Sequence, residues 1–312
     1  MAFTAFRGMG PWSQLIITAF VVLVCFLSIS LLSVVVAIPF FGLGKMMSLS
    51  AGIDLNDPSS IGLLKYLQIV QSLGLFVLPP VIIGWLFSGN TAKYLQLGGK
   101  VDWGMILIAI AAVLLINPFI TYIGEINNGM ELPAFMDGLE AWMRQMEERA
   151  AGLIDRFMDV DTPGGLLFNL FMIAVIPAIG EEFLFRGVIQ KIFTRMSGNH
   201  HWGIWISAFL FSLLHMQFYG FVPRMLLGGL FGYMLVYSGS LWLPIASHFV
   251  NNALGVLLLY FENKGYPEVD QVSSFGKDLP SMWPFALLSL GFTVYLMFLL
   301  KRKSGLESQV DL

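Results

Sequence analysis

The chain has 312 residues, of which 57% are hydrophobic and 12% charged, and its mean hydropathy is +0.77. Soluble domains carry about 25% charged residues, so this composition excludes an ordinary soluble domain and predicts an integral membrane protein. The net charge of −3 identifies no partner, and no stretch is basic and aromatic enough to bind nucleic acid. Cys25 is the one cysteine of the sequence, which excludes an internal disulfide and argues against a cysteine nucleophile or a cysteine-based zinc site.

Eight apolar stretches are candidates for membrane-spanning helices, each of which needs about 20 apolar residues. They lie at about 14–43, 61–88, 103–124, 166–190, 202–219, 222–239, 241–261 and 282–300. The first is too long for the apolar part of a signal peptide, and no small-residue cleavage pattern follows it. The sequence therefore predicts an all-α, polytopic membrane protein with about eight transmembrane helices.

No internal repeat is visible, and we predict one integral domain in three parts. These are three transmembrane helices with a loop helix (1–160), a core that carries the polar motifs (161–262), and a last transmembrane helix with a cytoplasmic tail (263–312). Basic residues are denser near one set of helix ends, and the last span is followed by Lys301-Arg302-Lys303. This bias predicts cytoplasmic termini. Short loops and the lack of an organelle signal favour the plasma or inner membrane.

The longest loop, about 125–165, contains a helical pattern with one apolar and one acidic face. The apolar face holds Met136, Leu139, Met143, Met146, Ala150, Leu153 and Phe157. The acidic face holds Glu140, Glu147, Glu148 and Asp155. This pattern predicts an amphipathic helix that lies on the membrane surface or caps the bundle. A structural role is favoured over that of a substrate lid.

The sixth apolar stretch contains Gly228, Gly229 and Gly232. Glycines four residues apart allow helices to approach closely in a bilayer. We expect these glycines to serve helix packing rather than ligand binding.

The fourth apolar stretch is interrupted by Glu181, Glu182 and Arg186. A charged side chain at the centre of a bilayer costs a few kcal/mol or more, and such residues mark functional sites. Glu182 and Arg186 are four residues apart and can pair along their helix, whereas Glu181 is rotated by about 100° and can point elsewhere.

Two histidines lie within later apolar stretches. His215 ends the sequence Phe211-Ser-Leu-Leu-His215, and His248 is followed one helical turn later by Asn252. His200 and His201 lie in a polar loop, where we expect them to be solvated. Taken singly, each buried polar residue could be a structural hydrogen-bonding group. Taken together, they favour a catalytic site.

The residue types suit the activation of a water molecule. A buried carboxylate can take a proton from water as a general base. Imidazoles can coordinate a metal ion or donate to a developing oxyanion, and an asparagine amide can hold the oxyanion or orient a histidine. The chemistry of these residues leaves the metal-bound and metal-free alternatives open.

In this order and spacing the motifs resemble those of the CPBP family, which comprises CAAX prenyl endopeptidases of the Ras-converting type and bacteriocin-processing (Abi) proteins. The three motifs are Glu181-Glu182-x-x-x-Arg186, Phe211-x-x-x-His215 and His248-x-x-x-Asn252. The resemblance covers about residues 165–255. It implies an eight-helix membrane bundle with its site in a cavity that opens toward the cytosol.

The resemblance also implies roles for the six polar residues. Glu181 resembles the general base, Glu182 and Arg186 a supporting pair, and His215 the histidine that helps hold the water. His248 and Asn252 resemble the pair that stabilises the oxyanion.

The metal and the substrate follow from the same resemblance. Family members are classed as metalloproteases, and Glu181, His215 and His248 could bind Zn²⁺. The HExxH arrangement is absent, and the same residues suit a metal-free, glutamate-dependent mechanism, which we favour. The expected substrate is a membrane-associated or lipid-modified peptide, with the lipid bilayer as the other partner.

Two other functions are alternatives to the peptidase. A proton-coupled transporter would have polar residues that continue to both membrane surfaces, whereas this cluster stops short of the outer side. A non-catalytic membrane partner, such as an immunity protein, would need only an intact fold.

Overall fold

A computed structural model describes residues 4–48, 57–98, 102–266 and 279–305. Within these ranges the chain is helical and contains no β-strand. We number nine main helices of the described residues as follows: α1 (Pro11–Phe41), α2 (Pro58–Ser88), α3 (Trp103–Asn128), α4 (Asp137–Met158), α5 (Pro163–Ser197), α6 (His200–Leu214), α7 (Phe221–Ser238), α8 (Trp242–Asn263) and α9 (Leu279–Lys303).

In the part of the chain that the structure describes, seven helices are long and apolar enough to cross a membrane, namely all of the nine except α4 and α6. The prediction of an all-α, multi-pass membrane protein is therefore confirmed. The tail beyond 305 lies outside the described residues, and the cytoplasmic location of the termini stays a prediction.

The predicted fifth span, 202–219, differs from the observed helix α6. This helix has 15 residues and ends at Leu214, so it is about 22 Å long at 1.5 Å per residue, shorter than the hydrocarbon core of a bilayer. It stops because the backbone turns at Met216, which has a left-handed φ of 53°. A short 3₁₀ helix, Phe218–Gly220, then leads into α7.

Polar residues just outside the apolar stretches fix where the helices begin. Asp57 caps α2 by accepting a hydrogen bond from Ser59 N (3.0 Å), and Asp102 caps α3 through Gly104 N (2.7 Å). Thr162 caps α5 in the same way. These side chains satisfy backbone N–H groups that have no partner within the helix.

Helix α5 is the centre of the bundle. It packs against α1, α2, α6, α7 and α8, while α9 packs along α3 on the outside. The outer faces are apolar, as Ile16, Phe20 and Leu31 of α1 illustrate with side chains that are 65–70% exposed. Such a surface is suited to lipid contact.

Two short π-helical segments interrupt α5, at Leu170–Val175 and Phe185–Ile189, and a third, Leu73–Val77, interrupts α2. Such segments often occur at functional sites because they shift the register of side chains along a helix. The segment Phe185–Ile189 contains Arg186, so it sets the direction of that side chain.

The glycines of α7 provide close packing, as predicted. A Cβ atom on Gly232 would lie 2.8 Å from Ile204 Cγ2 of α6, and one on Gly229 would lie 2.9 Å from the Trp205 ring. A Cβ atom on Gly228 would lie 3.2 Å from Arg186 Nη2. The absence of side chains here lets α7 approach both α5 and α6.

Helix α4 is the predicted amphipathic helix, and it caps the bundle. Near its first half, Trp142 packs on Phe218 with ring centroids 5.4 Å apart, and Glu147 Oε2 accepts a hydrogen bond from Tyr219 N (3.3 Å). At its end, Phe157 is buried and its carbonyl accepts a hydrogen bond from Asn169 (2.7 Å).

Two residues on the predicted acidic face of α4 accept hydrogen bonds from other parts of the protein. Glu147 holds Tyr219, as described, and Glu140 accepts hydrogen bonds from Leu132 N (2.7 Å) and from Arg144. These bonds lower the pKa of Glu140 below its ordinary value, and the bond from Leu132 N has the largest effect. Glu147 therefore helps to dock α4 on the 3₁₀ helix, and Glu140 holds the start of α4 to the loop before it.

Candidate active site

A cavity of about 800 Å³ lies between the central helices and α4, within the size range of small-ligand sites. Four of the six predicted site residues line it: Glu181, His215, His248 and Asn252. Helix α4 contributes Ala150, Leu153, Ile154, Phe157 and Met158 to the same wall. The amphipathic helix therefore covers the candidate site, a placement that the sequence did not favour.

The other two predicted residues, Glu182 and Arg186, form a buried ion pair behind the cavity. Arg186 Nη1 lies 2.9 Å from Glu182 Oε1, and the side chains are 1% and 0% exposed. Arg186 Nη2 also donates to the carbonyl of Gly228 (3.0 Å), and its guanidinium lies over the ring of Phe211 (4.7 Å). The pair thus ties α5 to α6 and α7.

His248 of α8 is held by the same ion pair. Its Nδ1 lies 2.8 Å from Glu182 Oε1, and its ring stacks on Phe231 with centroids 5.1 Å apart. Because an ionised carboxylate can only accept, Nδ1 carries the hydrogen of this bond. The other nitrogen, Nε2, lies 3.7 Å from Glu181 Oε2, beyond hydrogen-bond distance.

Glu181 differs from its neighbour Glu182 in having its carboxylate at the cavity. Its side chain is 12% exposed. Among the described residues, no group donates a hydrogen bond to it, whereas Glu182 is engaged by both Arg186 and His248. The 100° rotation between adjacent residues of a helix produces this division. One carboxylate is fixed within the protein and the other is available for chemistry.

His215 is the first residue after α6 and lies in the turn that follows this helix. Its Nδ1 lies 2.8 Å from the carbonyl of Phe211, four residues earlier. A carbonyl only accepts, so Nδ1 is the donor and Nε2 is left for the cavity. The left-handed backbone at Met216 is a sparsely populated conformation of the kind found at functional sites.

Asn252 lies one turn after His248 on α8. Its Nδ2 donates to the carbonyl of Ile173 (3.3 Å), in the π-helical segment Leu170–Val175, and its Oδ1 accepts from Asn251 (3.3 Å). The amide is therefore oriented by two weak hydrogen bonds, and one hydrogen of Nδ2 stays available.

The remaining polar residues of the sequence analysis lie outside the cavity. His200 and His201 are exposed, as predicted, but they form the first turn of α6 and not a loop, because Asn199 caps the helix just before them. His201 Nδ1 also contacts the hydroxyl of Tyr233 (2.7 Å). Cys25 is a free, buried thiol in α1.

Sequence reasoning missed four polar residues of the cavity wall: Gln68, Gln217, Arg224 and Asn251. Arg224 could have been found, because it is the one charged residue in the sequence of α7.

The described residues contain no group of three His, Cys, Asp or Glu side chains arranged to hold a metal ion. A catalytic zinc site uses three protein ligands. Glu181, His215 and His248 share the cavity, and each histidine has its Nδ1 engaged by an acceptor, which leaves Nε2 as the nitrogen that could ligate an ion. The three residues have donor atoms suited to zinc, but their side chains do not converge as a three-ligand site in this arrangement.

Comparison with known proteins identifies relatives that match about a third of the chain. The chain is 27% identical over 99 residues to uncharacterized protein YpbD of Bacillus subtilis (strain 168), a match that covers 30% of this chain and 48% of the relative. It is 30% identical over 108 residues to an uncharacterized 24.3 kDa protein of Escherichia coli, with 32% and 48% covered. The chain thus spans about half the length of the curated relatives it matches. No solved structure matches it.

Residues 163–254 match the family of type II CAAX prenyl endopeptidases, Rce1-like. This range begins at α5 and ends within α8. It therefore contains all three polar motifs and the helices that carry them. The resemblance inferred from the motifs is therefore confirmed, and the helical core of this membrane protein is similar to the Rce1-like CAAX endopeptidases over residues 163–254.

Proposed function

We propose that this protein is an intramembrane endopeptidase that hydrolyses a peptide bond of a membrane-associated or lipid-modified peptide. The observation that carries the proposal is the unengaged carboxylate of Glu181, which shares a cavity with His215, His248 and Asn252. The family match of residues 163–254 supports a peptidase.

In the proposed mechanism, Glu181 takes a proton from a water molecule, which attacks the carbonyl carbon of the substrate. His215 helps to hold the water through Nε2. The proton on Glu181 then passes to the nitrogen of the leaving amine as the C–N bond breaks. General-base catalysis of this kind contributes about 10²–10⁴-fold in rate.

His248 and Asn252 are proposed to stabilise the negative charge that develops on the carbonyl oxygen. For this role Nε2 of His248 must carry a hydrogen while Nδ1 donates to Glu182. Loss of one such donor typically lowers kcat by about 10²–10³-fold. The Glu182–Arg186 pair positions this histidine and does not touch the substrate.

The mechanism is proposed to be metal-free, since a base, a water-holding histidine and two oxyanion donors are present without an ion. Stringent chelation of the purified protein should leave peptide cleavage unchanged. Zinc bound at one ion per chain, whose removal abolishes cleavage and whose return restores it, would contradict this proposal.

The proposed activity can be tested with the protein reconstituted in lipid vesicles. The substrates would be a panel of peptides of one sequence, with and without an attached lipid, and products would be identified by mass spectrometry. We expect cleavage at a defined bond of a lipid-modified peptide, loss of cleavage in His215→Ala, and full activity in the matched control His200→Ala. If folded protein cleaves no peptide of the panel, the non-catalytic alternative is favoured.

A further inference from the structure

Arg224 of α7 is a cation in the wall of the catalytic cavity, which it lines together with Glu181 and His215. An arginine within a membrane-spanning helix is costly and is a functional-site candidate by default. Arg186, which lies behind the same cavity, has Glu182 as its partner at 2.9 Å. Among the described residues, no carboxylate lies within ion-pair distance of Arg224.

The guanidinium of Arg224 is oriented but not saturated. Its Nη1 donates to the carbonyl of Gln217 (3.2 Å), and its Nη2 donates to Oε1 of the same residue (3.0 Å). A guanidinium has five N–H donors, so three of them have no acceptor among the described residues. The carboxylates of Glu147 and Glu181 attract it from beyond ion-pair distance. A guanidinium that is fixed in direction and keeps free N–H donors is suited to bind an anionic group.

The guanidinium of Arg224 lies against the backbone of Gly220. A Cβ atom at 220 would lie 2.9 Å from Arg224 Nη2, so a larger residue there would require the end of the arginine side chain to shift. Gln217 and Gly220 also line the cavity and lie in the turn that follows His215. The same turn therefore positions a catalytic histidine and an arginine side by side.

The position of Arg224 relative to the reacting groups follows from the geometry of α7. Arg224, Leu227 and Phe231 line the cavity along one face of this helix, and Phe231 stacks on His248. Seven residues of an α-helix span about 10 Å. A substrate group bound at Arg224 would thus be separated from a peptide bond held near His248 by only a few residues of an extended peptide.

From these contacts we propose that Arg224 is a specificity-determining residue that binds a carboxylate of the peptide substrate. The inference rests on the proposed peptidase function and adds a recognition element to it. The carboxylate is either the free C-terminus of the peptide or an acidic side chain close to the cleaved bond. Arginine suits both, because its planar fork binds a carboxylate through two parallel hydrogen bonds.

The test uses peptides with an N-terminal palmitoyl group and one common sequence. One ends in a free carboxylate and a second in a carboxamide, and further versions of each carry Glu or Gln next to the cleaved bond. The wild-type protein should prefer one carboxylate-bearing form by about ten- to a hundredfold in kcat/KM, mainly through KM. The arm that shows this preference identifies the source of the carboxylate.

Arg224→Met should remove the preference by slowing the carboxylate peptide while leaving its uncharged counterpart nearly unchanged. Arg224→Lys should restore part of it, and the exposed Arg149→Met is the matched control that should keep it. A role limited to holding Gln217 would instead slow all peptides equally in Arg224→Met. That result, or equal cleavage of all peptides by the wild-type protein, would overturn the proposal.

Binding separates this proposal from the proposed function. Fluorescent versions of the same peptides can be titrated onto Glu181→Gln protein with and without Arg224→Met. A carboxylate-dependent difference in Kd that disappears with Arg224→Met supports the recognition site even if no peptide is ever cleaved. Equal Kd values for carboxylate and uncharged peptides would overturn the recognition site, whether or not cleavage occurs.

Discussion

Replacing Arg186 by methionine should strongly destabilise the fold. Arg186 and Glu182 are 1% and 0% exposed and lie 2.9 Å apart, so neither charge has access to bulk water. Methionine has a similar length and is apolar, so the change removes the charge with little loss of packing. It leaves the Glu182 carboxylate buried without its counter-ion.

Breaking a buried ion pair by removing one partner typically costs about 3–5 kcal/mol. The Arg186→Met variant also removes the bond to the carbonyl of Gly228, a smaller loss because that carbonyl lies within α7 and keeps its helical N–H partner. His248 still donates to Glu182 and retains part of the stabilisation, so we expect a total loss of about 3–5 kcal/mol. The double variant Glu182→Gln, Arg186→Met removes both charges and should recover much of that loss.

The free energy of unfolding can be measured in detergent for the wild type, both single variants and the double variant. Their combination gives the coupling energy of the pair, and Arg149→Met serves as the surface control. A loss below about 1 kcal/mol in Arg186→Met, the value typical of an exposed pair, would refute the view that this pair is a buried support of the site.

Two further predictions concern packing and pH. Gly228→Ala should destabilise the protein by about 1–3 kcal/mol, as overpacking does, because the new Cβ atom would lie 3.1 Å from the Cβ atom of Ala208 and 3.2 Å from Arg186 Nη2. The free energy of unfolding in detergent tests this prediction. Gly255→Ala is the control, since a Cβ atom at that position meets nothing within 4 Å. The lowered pKa of Glu140 predicts that its bond to the loop before α4 contributes stability above the ordinary pKa of glutamate and that this contribution is lost as pH falls through the lowered value. The protection of the first turns of α4 against hydrogen exchange, corrected for the intrinsic pH dependence of exchange, should therefore fall in acid in the wild type and be low at neutral pH in Glu140→Gln. Equal protection in the two proteins at neutral pH would contradict this.

The spans and the pairing of Glu182 with Arg186 could be read from the sequence because both depend on local periodicity. Apolar stretches report helices that face lipid, and an i,i+4 spacing reports neighbours on one helix. The separation of Glu181 from Glu182 follows from the same geometry. These inferences need no knowledge of how the helices are arranged.

Features that depend on contacts between helices were beyond the sequence. The bond from His248 to Glu182 joins α8 to α5, and the seating of α4 over the cavity depends on the loop around Tyr219. The early end of α6 was missed because the apolar composition continues past His215, while the backbone turns at Met216. Hydropathy reports composition and does not register such a turn.

The most direct measurement is the cleavage rate per folded molecule of Glu181→Gln. Glutamine keeps the size of the side chain but cannot take a proton from water, and its removal of a cavity charge should leave the fold intact. We predict wild-type unfolding in detergent and a loss of peptide cleavage of at least about 10²–10⁴-fold, with Glu148→Gln on the exposed face of α4 as an unaffected control. A well-folded Glu181→Gln protein that cleaves at the wild-type rate would contradict the proposed mechanism.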